Sequence, residues 1–235
     1  MRKLLLAAAA LISLGVASQA QAAPALSSRI AQDGVFVPGT SQTSSNGSLF
    51  VSGSTTNFSL LTSLSIGFPQ VDQPALDVQT TSISSRGDFT GTHTVTFEVT
   101  QTGLDSASAG TPIAALLSSF TANFLINSNL VSNLTLATYA DAANTAFGRG
   151  QLLSSVTYTS GPTQSSGALL SNPTLSNSLF SETVVISATF TGAGAAVNGS
   201  AQITAVAVPE PASLALFGMG LLGMGLVRRR QNKAD

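Results

Sequence analysis

The residues best suited to take part in chemistry lie close to the two ends of the 235-residue sequence. Pro209, Glu210 and Pro211 form an acidic segment bracketed by two prolines. Proline has no backbone N–H and pushes the residue before it toward an extended conformation, so this segment stays outside any helix. A protease or transpeptidase can bind an extended segment of this kind. We therefore expect this segment to be the substrate of such an enzyme rather than part of an active site.

The segment is followed by an element that positions it at a membrane. Residues 214–227 are an apolar run of 14 residues, preceded by Ser213 as a helix N-cap and followed by a basic cluster over residues 228–233. Arginines resist crossing a bilayer, so Arg228, Arg229 and Arg230 would stay cytoplasmic and leave Glu210 near the outer face of the inner membrane. A helix of this length rises only about 21 Å, which is marginal for a permanent anchor and favours a tail that is processed. A simple tail anchor and a buried terminal helix are the alternatives.

These three parts, in this order, resemble the PEP-CTERM sorting signal of Gram-negative bacteria that make exopolysaccharide. The resemblance covers residues 208–235. It implies an exosortase-like membrane enzyme as partner, which removes or transfers the tail. It also implies that the chain is held in the membrane transiently by its helix, before delivery to the cell envelope or extracellular matrix.

The other end has the pattern of a secretory signal. Arg2 and Lys3 are followed by an apolar run over residues 4–16, and Ala20 and Ala22 provide the small residues that a signal peptidase accepts. The sequence therefore predicts a signal helix within residues 1–22, cleaved after Ala22. The apolar run rises only about 20 Å as a helix, which disfavours a permanent anchor.

Composition limits what the stretch between these two signals can do. Only Arg29, Arg86 and Arg149 are basic between residues 23 and 208, against eight acidic residues, which leaves a net charge of −5. Nucleic acid is not expected as a partner, because binding phosphates requires clustered cations. The chain has no cysteine, so it must be held together by burial and hydrogen bonding without disulfides.

The same stretch divides into a Ser/Thr/Gly-rich leader over residues 23–47, expected to be irregular, and a secreted β domain over residues 48–207. Residues 92–100 alternate strictly, with His93, Val95, Phe97 and Val99 on one face, which predicts a half-buried strand. Further strands are predicted at 58–68, where Leu64, Ile66 and Phe68 alternate, at 119–126 and at 154–159.

Two segments near the end of this domain are interpreted as a hairpin, residues 182–191 and 199–208, separated by a Gly-rich turn. Residues 114–125 also fit helical spacing, and a strand is preferred for their second half. Several short strands without alternating helices predict an all-β fold, an antiparallel β-sandwich of jelly-roll or immunoglobulin-like character. The signal helix and the membrane helix would flank this domain.

The sequence does not favour catalysis. His93 is the sole histidine and lies on the apolar face of its strand, so we interpret it as a strand residue near a sheet edge. Two carboxylate pairs, Asp72 with Asp77 and Asp88 with Glu98, could serve glycoside hydrolysis if suitably spaced, but two solvated carboxylates are the simpler interpretation. We expect no cofactor and no metal.

The resulting hypothesis is a non-enzymatic protein of the cell surface or the exopolysaccharide matrix, whose Ser/Thr-rich faces suit contact with hydrated polysaccharide. A carbohydrate-binding, lectin-like module is the alternative, and a secreted glycan hydrolase is a third possibility. A lectin needs aromatic side chains on a concave face, for which Tyr139, Tyr158 and scattered phenylalanines are available.

Overall fold

A computed structural model describes residues 23–72, 74–106, 115–161, 164–166, 169–175, 179–206 and 219. The described residues form strands that follow one another along the chain with short connections. In chain order they are β1 (Ala25–Gln32), β2 (Val35–Phe36), β3 (Gln42–Ser44), β4 (Ser48–Ser54), β5 (Phe58–Gly67), β6 (Ala75–Thr80), β7 (Ile83–Ser85), β8 (His93–Asp105), β9 (Ala115–Ile126), β10 (Val131–Asp141), β11 (Gln151–Tyr158), β12 (Gln164–Ser165), β13 (Leu169–Ser171), β14 (Leu179–Phe190) and β15 (Ala196–Val206).

The strands form two antiparallel sheets that pack face to face. Sheet A has the order β11-β10-β14-β8-β1-β2, with β3 also paired to β1. Sheet B has the order β12-β9-β15-β6-β5-β4, with β13 on β9 and with β7 paired to both β15 and β5. A hydrogen bond of 2.7 Å between Ser118 on β9 and Thr138 on β10 joins the two sheets through the core. The prediction of an all-β antiparallel sandwich is confirmed.

Period-two patterning explains how the strands bury one face. On β8, Val95, Phe97 and Val99 are buried in the core, as the alternation predicts. On the opposite side of the core, Phe120 and Ile203 of sheet B are equally buried. Alternate side chains of a strand point to opposite faces of its sheet, so each sheet contributes one apolar face to the common core.

Strand β5 departs from the predicted pattern. Phe58 and Leu60 point into the core, but Ser63 and Ser65 are the buried residues in the second half of the strand. The pairing with β4 shifts register between Val51 and Gly53, and this irregularity reverses which side chains face inward. Leu64 and Ile66, the predicted apolar face, are therefore only half-buried on the outer face of sheet B.

The irregular conformation expected for residues 23–47 is wrong. Residues 25–32 form β1, which pairs along its whole length with the central strand β8. Leu26 and Ile30 are buried, but Ser28 takes the inward position between them and Arg29 lies on the outer face. The strand was missed because a polar inward residue breaks the apolar alternation by which strands are recognised.

The predicted hairpin of residues 182–191 and 199–208 is also wrong. Strand β14 pairs with β10 and β8 in sheet A, whereas β15 pairs with β6, β7 and β9 in sheet B. The Gly-rich segment between them, which includes Gly192 and Gly194, therefore carries the chain from one sheet to the other. The strand preferred over a helix at residues 119–126 is confirmed, since β9 covers this segment.

The predicted signal helix of residues 1–22 and the membrane helix of residues 214–227 lie outside the described residues, apart from the exposed Met219. Among the described residues, no helix has the length and apolar character needed to cross a membrane.

Inside the sandwich, Glu182 is a buried acid without a hydrogen-bonding partner among the described residues. It lies on β14 in register with Gln101 on β8 and Ala140 on β10, and its side chain is fully buried. Neither carboxyl oxygen makes a hydrogen bond within the described part of the chain. Because burial removes the water that would stabilise the charged form, it raises the pKa of Glu182 to about 8.

This raised pKa predicts the pH dependence of stability. The unfolded chain releases the proton of Glu182 near pH 4.5, whereas the folded chain keeps it up to about pH 8. The free energy of unfolding should therefore fall as pH rises through this window, by up to about 5 kcal/mol, and then level off. Replacing Glu182 with Gln (E182Q) should remove this fall, as measured by denaturant unfolding from pH 5 to pH 9.

The matched control is Asp88→Asn, which removes an exposed acid. The free energy of unfolding of this variant should depend on pH as that of the parent chain does. An E182Q variant whose stability follows pH as steeply as that of the parent would show that Glu182 is charged in the folded state.

Candidate functional site

The outer face of sheet A carries rows of paired hydroxyl groups. On β8 the outward residues are Thr94, Thr96, Glu98 and Thr100, opposite the apolar face described above. Their neighbours on β14 face the same way, and a further pair joins β10 to β11. The hydrogen-bonded pairs are Thr94–Thr189 at 3.0 Å, Thr96–Ser187 at 3.2 Å, Thr100–Thr183 at 3.1 Å and Thr135–Thr157 at 2.9 Å.

An ion-pair cluster interrupts these rows at Glu98. Arg29 stands directly opposite Glu98 on β1, and its Nε donates to Glu98 Oε2 at 2.5 Å. The guanidinium of Arg149, from the connection between β10 and β11, donates to Glu98 Oε1. The Glu98 side chain is only 3% exposed, so its charge depends on these two partners for stabilisation. One carboxylate shared by two arginines leaves the cluster with a net charge of about +1.

Aromatic rings surround the two guanidinium groups. The central carbon of the Arg29 guanidinium lies 3.8 Å from the ring centroid of Phe36 and 4.0 Å from that of Phe147. The corresponding carbon of Arg149 lies 5.5 Å from the ring centroid of Tyr139. These distances are within the range of cation–π attraction. We call Arg29, Glu98, Arg149 and the rings of Phe36, Phe147 and Tyr139 the arginine–aromatic cluster.

The loop that supplies Phe147 and Arg149 is organised by Asp141, the last residue of β10. One carboxyl oxygen of Asp141 accepts a hydrogen bond from the amide of Ala143 at 3.1 Å, and the other accepts one from the amide of Thr145 at 3.2 Å. Asn144 Oδ1 accepts a hydrogen bond from the amide of Gly103 on β8 at 2.7 Å. The loop is thus bound to sheet A at its start and held over the outer face.

Two glycines and one strained residue complete this loop. A Cβ on Gly148 would lie 2.1 Å from a carboxyl oxygen of Asp141, and one on Gly150 would lie 2.7 Å from the other, so only glycine fits. Phe147 adopts a φ of 59°, a left-handed conformation that is unfavourable for a bulky residue. The surrounding contacts, including the one with Arg29, hold Phe147 in this conformation.

No local pattern in the sequence indicates this cluster. Tyr139 and Tyr158 are the two tyrosines available to a lectin-like face, but Tyr158 is buried in the core, where its hydroxyl donates to the Phe120 carbonyl at 3.4 Å. The interpretation of Glu98 as a solvated carboxylate is wrong, because its side chain is only 3% exposed. Glu98 is not brought together with Asp88 either, because Asp88 is exposed in the connection before β8 and Glu98 is buried in the middle of that strand.

His93 lies at the start of β8, rather than in an edge strand. Its Nδ1 is 2.8 Å from Asp33 Oδ2, and its ring packs edge-to-face against Phe89 with a centroid distance of 5.0 Å. Partial burial works to raise the pKa of Asp33, but hydrogen bonds from the Thr94 amide, His93 and Gln32 outweigh it and hold that pKa below its usual value. The contact between Asp33 and His93 thus joins the turn after β1 to the start of β8.

The predicted sorting and processing residues all lie outside the described residues. They are Ala20 and Ala22 at the signal-peptidase site, Pro209, Glu210 and Pro211 in the proline-bracketed segment, and Arg228, Arg229 and Arg230 in the basic cluster.

In a comparison with family models, residues 207–231 match the PEP-CTERM protein-sorting motif. The chain carries a PEP-CTERM sorting motif. This confirms the resemblance inferred from the Pro-Glu-Pro segment, the apolar run and the arginines. The motif is a sorting signal, and it assigns no activity to the domain that precedes it.

A comparison with curated protein sequences finds no match. Among solved structures, TmCBM61 in complex with β-1,4-galactotriose is 11% identical with a TM-score of 0.31, and the match covers 68% of this chain and 88% of the TmCBM61 chain. The CBM22-1 xylan-binding domain of Paenibacillus barcinonensis Xyn10C is 10% identical with a TM-score of 0.31, and the match covers 68% of this chain and 86% of that domain. The adhesin domain of Epf from Streptococcus pyogenes is 10% identical with a TM-score of 0.32, and the match covers 78% of this chain and 60% of that one. Likenesses this distant carry no argument about function.

Glu98 has two charged partners in the cluster, whereas Arg149 has one, so substitutions at the two positions should differ in cost. Glu98→Gln leaves two arginines facing a neutral group and should lower the free energy of unfolding by about 3 kcal/mol, since removing one partner of a buried ion pair is costly. Arg149→Gln leaves Glu98 paired with Arg29, and the Arg149 side chain is 47% exposed, so its cost should stay below about 1 kcal/mol. Denaturant unfolding at pH 7 measures both. Equal losses of unfolding free energy in the two variants would contradict the role of Glu98 as the shared partner of both arginines.

The contact between Asp141 and Gly148 gives a second prediction. Gly148→Ala should destabilise the chain by about 1–3 kcal/mol, because the added methyl group overlaps the Asp141 carboxylate. In the double variant with Asp141→Ala, the methyl group no longer meets the carboxylate, so the combined loss should be smaller than the sum of the two single losses. A double-mutant cycle of unfolding free energies measures this coupling, and strict additivity would contradict the contact.

Proposed function

We propose that this chain is an exported, non-enzymatic protein of the cell surface or the exopolysaccharide matrix, sorted by an exosortase. The observation that carries the proposal is the PEP-CTERM motif at residues 207–231. The exosortase binds the extended segment at Glu210 between its two prolines. The apolar run of residues 214–227 holds this segment at the outer face of the inner membrane, with the following arginines on the cytoplasmic side.

The bounds of the β-sandwich support export and processing at both ends. Cleavage after Ala22 by signal peptidase would leave β1 intact, because this strand begins at Ala25 and pairs with β8 along its length. At the other end, β15 finishes at Val206, before Pro209. Both processing sites therefore fall outside the described strands, so removal of the signal peptide and the tail would break none of their ladder hydrogen bonds.

The environments of the buried carboxyl groups support a non-enzymatic role. Both carboxyl oxygens of Glu98 are already paired with arginines, and its side chain is only 3% exposed, so it is poorly placed to reach a substrate. Glu182 has the raised pKa of a general acid but is fully enclosed in the core, out of reach of a substrate. A glycan hydrolase needs two accessible acids flanking one bond, so this function is disfavoured.

Binding of carbohydrate is the alternative, and the arginine–aromatic cluster favours it. Phe36 is 49% exposed and Arg149 is 47% exposed along its side chain, next to rows of hydroxyl groups. A surface that combines exposed rings with hydrogen-bonding groups suits a polyhydroxylated ligand. This role is compatible with sorting to a polysaccharide-rich surface.

The sorting proposal predicts a change in mass. In cells that contain the exosortase, the purified chain should lack its signal peptide and the tail that follows the Pro-Glu-Pro segment. In cells without the enzyme, it should still end at Asp235. Glu210→Gln should impair processing, whereas Lys233→Gln, a control in the same tail, should not. Intact-mass spectrometry measures the termini, and a chain that ends at Asp235 in both strains rules out processing.

A further inference from the structure

The basic side chains of the described domain are concentrated in the arginine–aromatic cluster. Between residues 23 and 206 the sequence contains three arginines and eight acidic residues. Arg29 and Arg149, two of the three, meet at Glu98 although they lie far apart in the sequence. Arg86 lies elsewhere and donates to the Thr55 carbonyl at 2.7 Å. The cluster thus brings two of the three arginines of an acidic domain to one place on its surface.

Within the cluster, Arg149 is the side chain available to a ligand. Arg29 is 25% exposed along its side chain, its Nε is bound to Glu98, and its guanidinium lies against two rings. Arg149 is 47% exposed and uses one terminal nitrogen for Glu98. A guanidinium presents five N–H donors in a planar fork, so Arg149 has further donors with the geometry that pairs with a carboxylate.

The surroundings of Arg149 suit a sugar ring. Tyr139 lies next to its guanidinium, and Phe36 exposes half of its surface beside Arg29. Such rings can stack on the apolar face of a pyranose. The partly exposed hydroxyl pair Thr96–Ser187 lies in the row next to Glu98 and can exchange hydrogen bonds with sugar hydroxyls.

The loop is fixed in place before any ligand arrives. Asp141 binds the loop amides, Gly148 and Gly150 pack against its carboxylate, and Phe147 is held at a φ of 59°. Strained conformations of this kind persist where the surrounding structure enforces them, and they occur frequently at ligand sites. A preorganised Arg149 does not have to lose side-chain freedom on binding, which favours affinity.

We infer that the arginine–aromatic cluster binds an acidic sugar, a hexuronate residue of a polysaccharide, with Arg149 pairing to the uronate carboxylate, Tyr139 contacting the uronate ring and Phe36 contacting another sugar of the same polysaccharide chain. This inference rests on the proposed function, since it requires that the domain reaches a polysaccharide-rich surface. It goes further by specifying that the ligand is negatively charged and that Arg149 binds its carboxylate.

The small number of cations argues against other anionic ligands. A nucleic acid or a densely sulfated polymer is bound through many clustered cations, whereas the sequence between residues 23 and 206 contains only three arginines. One uronate carboxylate matches the remaining donors of one guanidinium, that of Arg149. Because about one ion pair forms, affinity should weaken only modestly as salt rises, unlike the steep loss seen for polycation–polyanion binding.

The test uses the chain as the exporting cells produce it, at 150 mM NaCl, with polygalacturonate as the probe. Its methyl ester has the same sugar backbone with the carboxylate masked, and dextran sulfate supplies negative charge without uronate. Calorimetric titration should show binding to polygalacturonate, and at least tenfold weaker binding to the ester and to dextran sulfate. A tenfold loss is the expected size for one charge-assisted hydrogen-bonded contact.

Two matched pairs of variants locate the site. Arg149→Gln should weaken polygalacturonate binding about tenfold or more, whereas Arg86→Gln, which makes the same change in charge elsewhere, should not. Phe36→Ala should weaken binding several-fold, whereas Val35→Ala, at a neighbouring residue that is 71% exposed, should have little effect. Unfolding curves for each variant show that the fold is retained.

Each other outcome overturns the inference. These outcomes are the absence of polygalacturonate binding, equal binding of the ester or of dextran sulfate, and equal losses for Arg149→Gln and Arg86→Gln. Intact mass, measured on the same samples, separates this inference from the sorting proposal. A chain that is processed but does not bind uronate contradicts the inference alone, and a chain that binds uronate but is not processed contradicts the sorting proposal.

Discussion

The burial of the Glu98 carboxylate organises the outer face of sheet A. A charge that is only 3% exposed is stable only if it is paired, and the partners come from two separate parts of the chain. Arg29 reaches it from the neighbouring strand β1, and Arg149 reaches it from the loop between β10 and β11. The positions of Phe36, Phe147 and Tyr139 follow from these two guanidinium groups, because each ring packs against one of them.

The second buried acid, Glu182, is stabilised differently, since it remains protonated and does not form an ion pair within the described part of the chain. It points into the core between the sheets, where the described residues offer its carboxyl oxygens no hydrogen-bonding partner. Burial alone therefore raises its pKa, and the group stays protonated at neutral pH. The two acids lie on adjacent strands of sheet A but face opposite sides of it. The side of the sheet thus decides whether a buried carboxyl group takes part in an ion pair or remains neutral.

Much of the fold could be predicted from local patterns. The alternation of Val95, Phe97 and Val99 was sufficient to place β8, because a strand in a two-layer sandwich buries every second residue. The same rule failed for β1, whose inward Ser28 interrupts the pattern, and for β5, where a register shift reverses the inward face. The pairing of β14 and β15 with different sheets could not be predicted, since a Gly-rich connection can close a hairpin or join two sheets.

The sequence by itself determined the sorting motif and the all-β class. Both depend on residues that are neighbours along the chain: the prolines around Glu210, the apolar run and the arginines in one case, and period-two alternation in the other. The arginine–aromatic cluster was decided only by tertiary structure. Arg29, Glu98 and Arg149 come from three distant segments, and no local pattern indicates that they meet. They converge because the order of strands in sheet A places β1 beside β8, and because Asp141 holds the loop of Arg149 over the same face.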